Sequence, residues 1–445
     1  MASSKLCVGL VLASGLAVSS LISACGEKAE DIKPGPAAGG TRIMGGSAGS
    51  TATSGSGGAS GSTAGGDTGG ATTGGATTGG AAGASSCGAN AVRHASDGMC
   101  YCQPSTLSKC DDGCGDFPTD PNHCGNCTTK CEAAQACNAG KCGASPKALA
   151  PAAAGCGSML LTVADGIIYW TDKMHGTVSS VAVAGGAPKQ LVTGQVGAGL
   201  IAVNGTALYW IANGTIVKQI MTSTLTGGTP TPVLVTAPVA DIKGFTFSED
   251  GKTLYFSTGK TVNKTTAVAG GAITEVGHEE KGIPNALAVA GDLIAYPAEV
   301  TGDIDVMTIT AAPASCATDA NTNCERLARS QGNLYDNAVY LIAGNAYWLN
   351  QNQVTGNPVV NPTGVNDIIA IGTNPNAVNG TALTILGKNV YFTDDGGWVY
   401  QAPLKINAEV TTLARGQMKP TSIAADDANL YWANGDCSIM SLPLK

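Results

Sequence analysis

From residue 158 to the C-terminus one hydrophobic pattern recurs: an alternating β-rich run, a turn of Gly, Asp or Asn, then an aliphatic or polar residue followed by Tyr and usually a second aromatic. The tyrosines are Tyr169 with Trp170, Tyr209 with Trp210, Tyr255 with Phe256, Tyr296 alone, Tyr347 with Trp348, Tyr391 with Phe392 and Tyr431 with Trp432. Their spacings are 40, 46, 41, 51, 44 and 40 residues, a period that marks seven structural repeats. Tight-turn signals precede the aromatics, as at Asp165-Gly166, Asn204-Gly205, Asp250-Gly251, Gly291-Asp292, Gly344-Asn345 and Gly387-Lys388. A second alternating run follows each pair. In the first three units a Gly-Gly comes next, at Gly185, Gly227 and Gly270, and one more short strand closes the unit.

Four antiparallel strands per period of 40 to 50 residues predict an all-β chain whose main body is a seven-bladed β-propeller. Neighbouring side chains on a strand point to opposite faces, so each aromatic pair is expected to pack against both adjacent blades. These residues are therefore read as blade core. Several units end alike, with LVTGQ at Leu191–Gln195, LARSQ at Leu327–Gln331 and LARGQ at Leu413–Gln417. The seventh unit, from Pro420, lacks an outer strand, and residues 147–151 (KALAP) are expected to supply it by pairing with the strand near 438–442. A propeller over 146–445 would thus be closed by its own N-terminal strand. Cys156 and Cys437 flank that junction and are expected to bond, as are Cys316 and Cys324, eight apart in an insertion of blade four. Residues 351–365, rich in Asn and Gln, read as a loop of blade five.

Ahead of the repeats the composition changes. Residues 87–143 form a small module with ten cysteines, Cys87, Cys100, Cys102, Cys110, Cys114, Cys124, Cys127, Cys131, Cys137 and Cys142, and few large apolar side chains. A unit with so little to bury is held by cross-links, and five disulfides are expected. The CxxC of Cys124 and Cys127, beside His123, is the alternative zinc reading, but a matching second knuckle is missing and no metal site is assigned. Residues 25–86 form a tether. Between Gly45 and Ser86 it is almost wholly Gly, Ala, Ser and Thr with Asp67 as its single charge, too poor in apolar surface to fold. A Gly-rich coil of about 60 residues spans roughly 40 Å.

Residues 1–24 are expected to be a secretory signal, with Lys5 before an apolar run from Leu6 to Ile22. The run ends in Ile22, Ser23, Ala24 and Cys25, which resembles the bacterial lipobox; the resemblance implies lipidation at Cys25 and anchoring in a lipid membrane. At about 0.8 kcal/mol per buried CH₂, two or more acyl chains hold firmly. Gly26, in place of an Asp, points to the outer membrane.

Charge narrows the partners. With a net charge of -8 and 24 scattered basic residues, the chain lacks the cationic surface that nucleic acid requires. No cofactor motif is present either, since the linker glycines lack a following Lys and any strand-to-helix context.

Tyr169–Asp172 spell YWTD and Tyr391–Asp394 spell YFTD, so the repeat resembles the YWTD propeller repeats of lipoprotein receptors and the related NHL-like propellers. It departs from them at Ile211-Ala212, Leu349-Asn350 and Ala433-Asn434, which lack the Asp, and in having seven units, not six. The string DPNHCGNCTTKCEAAQACNAGKC from Asp120 is similar to short cysteine repeats of secreted bacterial surface proteins. The propeller resemblance implies protein binding, and the cysteine resemblance implies a spacer or interaction unit with no catalytic role. The expected function is a membrane-anchored, surface or periplasmic scaffold whose propeller holds a protein or glycan ligand on one ring face. The alternative is a propeller lyase or hydrolase using His175 or His278 as base, although no acidic residue is evidently spaced to orient either. Asp394-Asp395 and Asp426-Asp427 are read as turn residues.

Overall fold

A computed structural model describes residues 107–444 with short breaks, the longest at 235–239, 317–322, 332–338 and 360–365, together with two short strands at Ala91–Arg93 and Cys100–Cys102. The signal, Cys25 and the tether lie outside the described residues, as do the side chains of Cys87 and Cys100.

The chain folds as a seven-bladed propeller of antiparallel blades. Blade one shows the plan. Its inner strand Met159–Ala164 turns at Asp165 and Gly166, both at positive φ, into Ile167–Asp172; Thr177–Ala182 and Lys189–Val192 complete the sheet. Gly166 carries its φ of 73° without the cost that a side chain would bring.

Closure joins the two ends of the ring. Lys147–Ala150 pairs antiparallel with Ile439–Pro443 as the outer strand of blade seven. Beside it Ala153 donates its N–H to the Asp436 carbonyl, and Cys156 is bonded to Cys437 across a separation of 281 residues. Cys316 is bonded to Cys324. The insertion that carries Cys316 does more than loop out: Ala314–Ser315 adds a fifth strand, parallel, to the edge of blade three at Thr274–His278.

Aromatic alternation holds the blades together. Tyr169 packs forward with Trp210 and Leu208 of blade two, whereas Trp170 packs backward with Tyr431 and Ile439 of blade seven. Tyr209 and Phe256, and Tyr391 and Trp432, repeat the meeting at later seams. Tyr255 packs forward with Leu287 and Tyr296 of blade four; Tyr347 and Phe392 share the seam between blades five and six. Blade four differs from the expected register. Tyr296 packs backward, with Tyr255, while Ala295 faces blade five beside Trp348. Ala295 therefore stands where the other blades have Tyr, and Tyr296 fills the second aromatic position. Composition hid the shift, since the one aromatic left in the pair was aligned with the wrong neighbour.

Blade five corrects a second expectation. Gln353–Pro358, read as loop, is a strand that pairs with Asn345–Asn350, and Asp367–Ile371 follows as the outer strand. Its polar side chains are not solvated: Asn357 is buried and donates Nδ2–H to the Leu327 carbonyl of blade four at 2.8 Å. Residues 360–365 lie outside the described part.

The cysteine module shows four disulfides: Cys102–Cys114, Cys110–Cys127, Cys124–Cys137 and Cys131–Cys142. Its hairpin Gln135–Asn138 and Lys141–Ala144 leads into the closing strand, with Ala144 against the cluster shared by blades six and seven.

Candidate functional site on the loop face

Met159 at the start of the inner strand pairs with Asp172 at the end of the second. The same order in every blade sends the connections between second and third strands, and those from one blade to the next, to one face of the ring. This loop face collects most of the sequence's chemical candidates.

His175 is in the blade one turn. Its Nδ1 lies 2.7 Å from Oδ2 of Asp172, while Oδ1 accepts the N–H groups of Met174 (2.9 Å) and His175 (3.1 Å). The Asp is buried and the imidazole half-exposed. His278 lies at the end of blade three's outer strand, 3.1 Å from Glu275 and 3.7 Å from Glu280. Both histidines thus have acidic partners, contrary to the sequence expectation, because a side-chain-capped turn or a strand end folds a residue three positions away back onto the ring. The two histidines are two blades apart, each with its own carboxylates, and do not meet in one constellation.

The remaining candidates are structural. Asp394 is buried; its Oδ2 accepts the Tyr400 hydroxyl at 2.6 Å and its Oδ1 the Trp398 N–H at 2.9 Å. Burial pushes its carboxyl up, opposed by those hydrogen bonds. Asp395 accepts from the Val378 and Asn379 N–H groups, and Asp426 from Ala428, Asn429 and the Tyr431 hydroxyl. In the cysteine module, His123 Nδ1 lies 2.7 Å from Asp120 Oδ2. The sulfurs of Cys124, Cys131 and Cys142 lie within 4.8 Å of one another, but each is half of a disulfide and offers no thiolate to zinc.

Sequence reasoning missed the apolar character of this face. Nine large hydrophobic side chains are exposed among the described residues; Met174, Val196, Val300, Ile371, Val378 and Met418 are on the loop face. Met174 and Met418 are 68% and 60% exposed. Met418 borders a depression of about 380 Å³ with Asp395, Gln417, Lys419 and Asp436. Arg415 stacks 3.9 Å over the Trp398 ring nearby; burial lowers its guanidinium's pKa and Asp116 of the cysteine module opposes that. The signal lay in loop residues such as Met174 and Met418, whose placement the repeat period does not reveal.

No family model and no curated relative matches the chain. Solved structures do match in fold. A streptogramin B lyase aligns at 18% identity over 68% of this chain and 98% of its own, with a TM-score of 0.53. Virginiamycin B lyase from Staphylococcus aureus, in a catalytically inactive histidine-to-alanine form with quinupristin, aligns at 15% identity over 68% of this chain and all of its own, again at 0.53. The similarity shows a shared propeller architecture and leaves chemistry to the residues.

Proposed function

We propose that this chain is an exported, lipid-anchored envelope protein whose propeller binds a protein partner through its loop face. That six of the nine exposed large aliphatic side chains fall on that one face carries the reading, because exposed aliphatic side chains of this kind can anchor a protein interface. A glycan site would draw on polar groups and aromatic platforms, and aliphatic side chains favour protein over sugar. The lipobox at Cys25 and the tether length support presentation away from a membrane. The test is proximity cross-linking from the full chain in envelope preparations, comparing wild type with a Met174→Glu/Met418→Glu variant. Both positions are exposed, so the variant should fold normally and lose a defined cross-linked partner. A partner retained at wild-type yield would sink the reading.

A second reading rests on the 2.7 Å contact between His175 and Asp172, an oriented imidazole of the kind a general base requires. It predicts that the full chain opens a streptogramin B ring and that His175→Ala abolishes this. Intact substrate after prolonged incubation with wild type would exclude it.

A further inference from the structure

The methionines of the propeller divide sharply by exposure. Met159 and Met307 are sealed in blade cores at 1% and 0%, and Met221 and Met440 are half-buried against the seams beside blades two and seven. Met174 and Met418 alone among the described methionines are exposed, and both are on the loop face.

Both are held beside the ring closure by their backbone, not by their sulfur. The Met418 carbonyl accepts the N–H of Gly435, two residues before Cys437. On the other side of the Cys156–Cys437 bond, a Cβ placed on Gly157 would lie 3.0 Å from the Met174 Cβ, so this turn is seated directly against the closing segment. The Met174 N–H is fixed by Oδ1 of Asp172 at 2.9 Å. The two side chains thus flank the closure, and neither fills a core. The disulfide between them has no thiolate left to oxidise, which leaves the thioethers as the oxidisable sulfur of this surface.

We propose that Met174 and Met418 are a paired sulfoxidation site, through which a peroxide releases the protein bound to the loop face. The release step rests on the binding reading; the modification itself does not. The thioether sulfur attacks one oxygen of hydrogen peroxide, an S–O bond forms as the O–O bond breaks, and the departing hydroxide takes the remaining proton and leaves as water. Sulfur loses two electrons and the peroxide gains them. A dithiol-dependent sulfoxide reductase reverses the change, returning the thioether and water while the dithiol becomes a disulfide. Sulfoxidation turns a flexible apolar side chain into a polar one, so an anchor for an apolar contact is lost while the turn that carries it keeps its backbone hydrogen bonds.

The test treats the purified full chain with hydrogen peroxide, removes the oxidant, maps the sulfoxides by peptide mass and then repeats the proximity cross-linking in envelope preparations. Sulfoxide should form at Met174 and Met418 at least roughly tenfold faster than at Met159 and Met307, with the circular dichroism of the propeller unchanged. Partner yield should fall by roughly tenfold and return after treatment with methionine sulfoxide reductase and a dithiol. In Met174→Leu/Met418→Leu, the yield relative to the untreated form of the same variant should not change. Equal rates at exposed and buried methionines, an undiminished yield from oxidised wild type, or the same relative loss in the leucine variant would overturn the proposal. A chain that captures no partner before oxidation would defeat the binding reading and the release step with it, while the mapping still decides where the sulfoxides form.

Discussion

The indole of Trp210 donates its Nε1–H to Oε1 of Gln195, the last residue of LVTGQ in the preceding connection, at 3.0 Å. Trp432 and Gln417 of LARGQ repeat the bond at 3.0 Å. In both places the Gln Nε2 donates to a carbonyl two residues earlier, and its backbone N–H donates to the turn glycine, Gly176 or Gly397. One glutamine thus pins its own loop, the turn of the blade it leaves and the aromatic of the blade it enters. Gln331 makes the same two local bonds, but its Oε1 accepts from Asn350 and Asn366, and Trp348 Nε1 has no partner.

Gln195→Leu should therefore orphan a buried indole N–H and lower unfolding free energy by about 1 to 3 kcal/mol. Trp348→Phe removes a donor that is already unsatisfied, so its loss should reflect packing alone. Urea denaturation of the two variants, alongside Trp210→Phe, separates the contributions.

Ring closure supports a second expectation. Cys156–Cys437 closes a loop of 281 residues, for which the chain-entropy model gives about 5 kcal/mol of stabilisation. Cys156→Ala/Cys437→Ala should lower the denaturation midpoint markedly while the propeller persists, since Lys147–Ala150 remains paired. Deleting residues 147–150 as well should abolish cooperative unfolding of the ring. Circular dichroism during a denaturant titration reads both outcomes.

The Tyr400 hydroxyl donates to Asp394 and accepts the Asn374 N–H at 3.0 Å, all in a buried setting. Tyr400→Phe keeps the ring that stacks on Phe392 but strands an acceptor and a donor at once. The expected cost is about 2 to 4 kcal/mol, more than a typical lone hydrogen bond contributes. Equal stability of the variant by calorimetry would show that water or a neighbour replaces both bonds.

Much of this arrangement was legible because a propeller writes its period in paired aromatics and turn glycines. The closing strand could be inferred because residues 147–151 read like the strands that end other blades, and Lys147–Ala150 does pair with Ile439–Pro443. Three features stayed hidden for physical reasons. Tyr296 sits next to Ala295 on opposite faces of one strand, and one residue of register decides which blade each meets. Asn357 looks like a loop residue but finds its partner 30 positions away at Leu327. The partners of His175 and His278 are three residues away in sequence, a spacing that becomes a contact only once the local backbone folds back. The YWTD aspartate at Asp172 is thus both turn cap and imidazole partner, a dual use that the four-letter motif does not disclose.

That dual use gives the last prediction. At 2.7 Å from a carboxylate oxygen, His175 Nδ1 must carry the hydrogen, so in the neutral ring the lone pair is on Nε2, on the half-exposed side chain. Asp172→Asn preserves the acceptor for the Met174 and His175 N–H groups, and the turn should keep its shape. It also places an amide N–H where the carboxylate stood. The neutral ring is then expected to switch tautomer, with Nδ1 accepting and Nε2 carrying the hydrogen. Nitrogen-15 chemical shifts of the imidazole distinguish the two forms directly. A wild-type ring with hydrogen on Nε2 would mean that Asp172 does not orient His175, and would remove the geometric basis for treating this imidazole as a base.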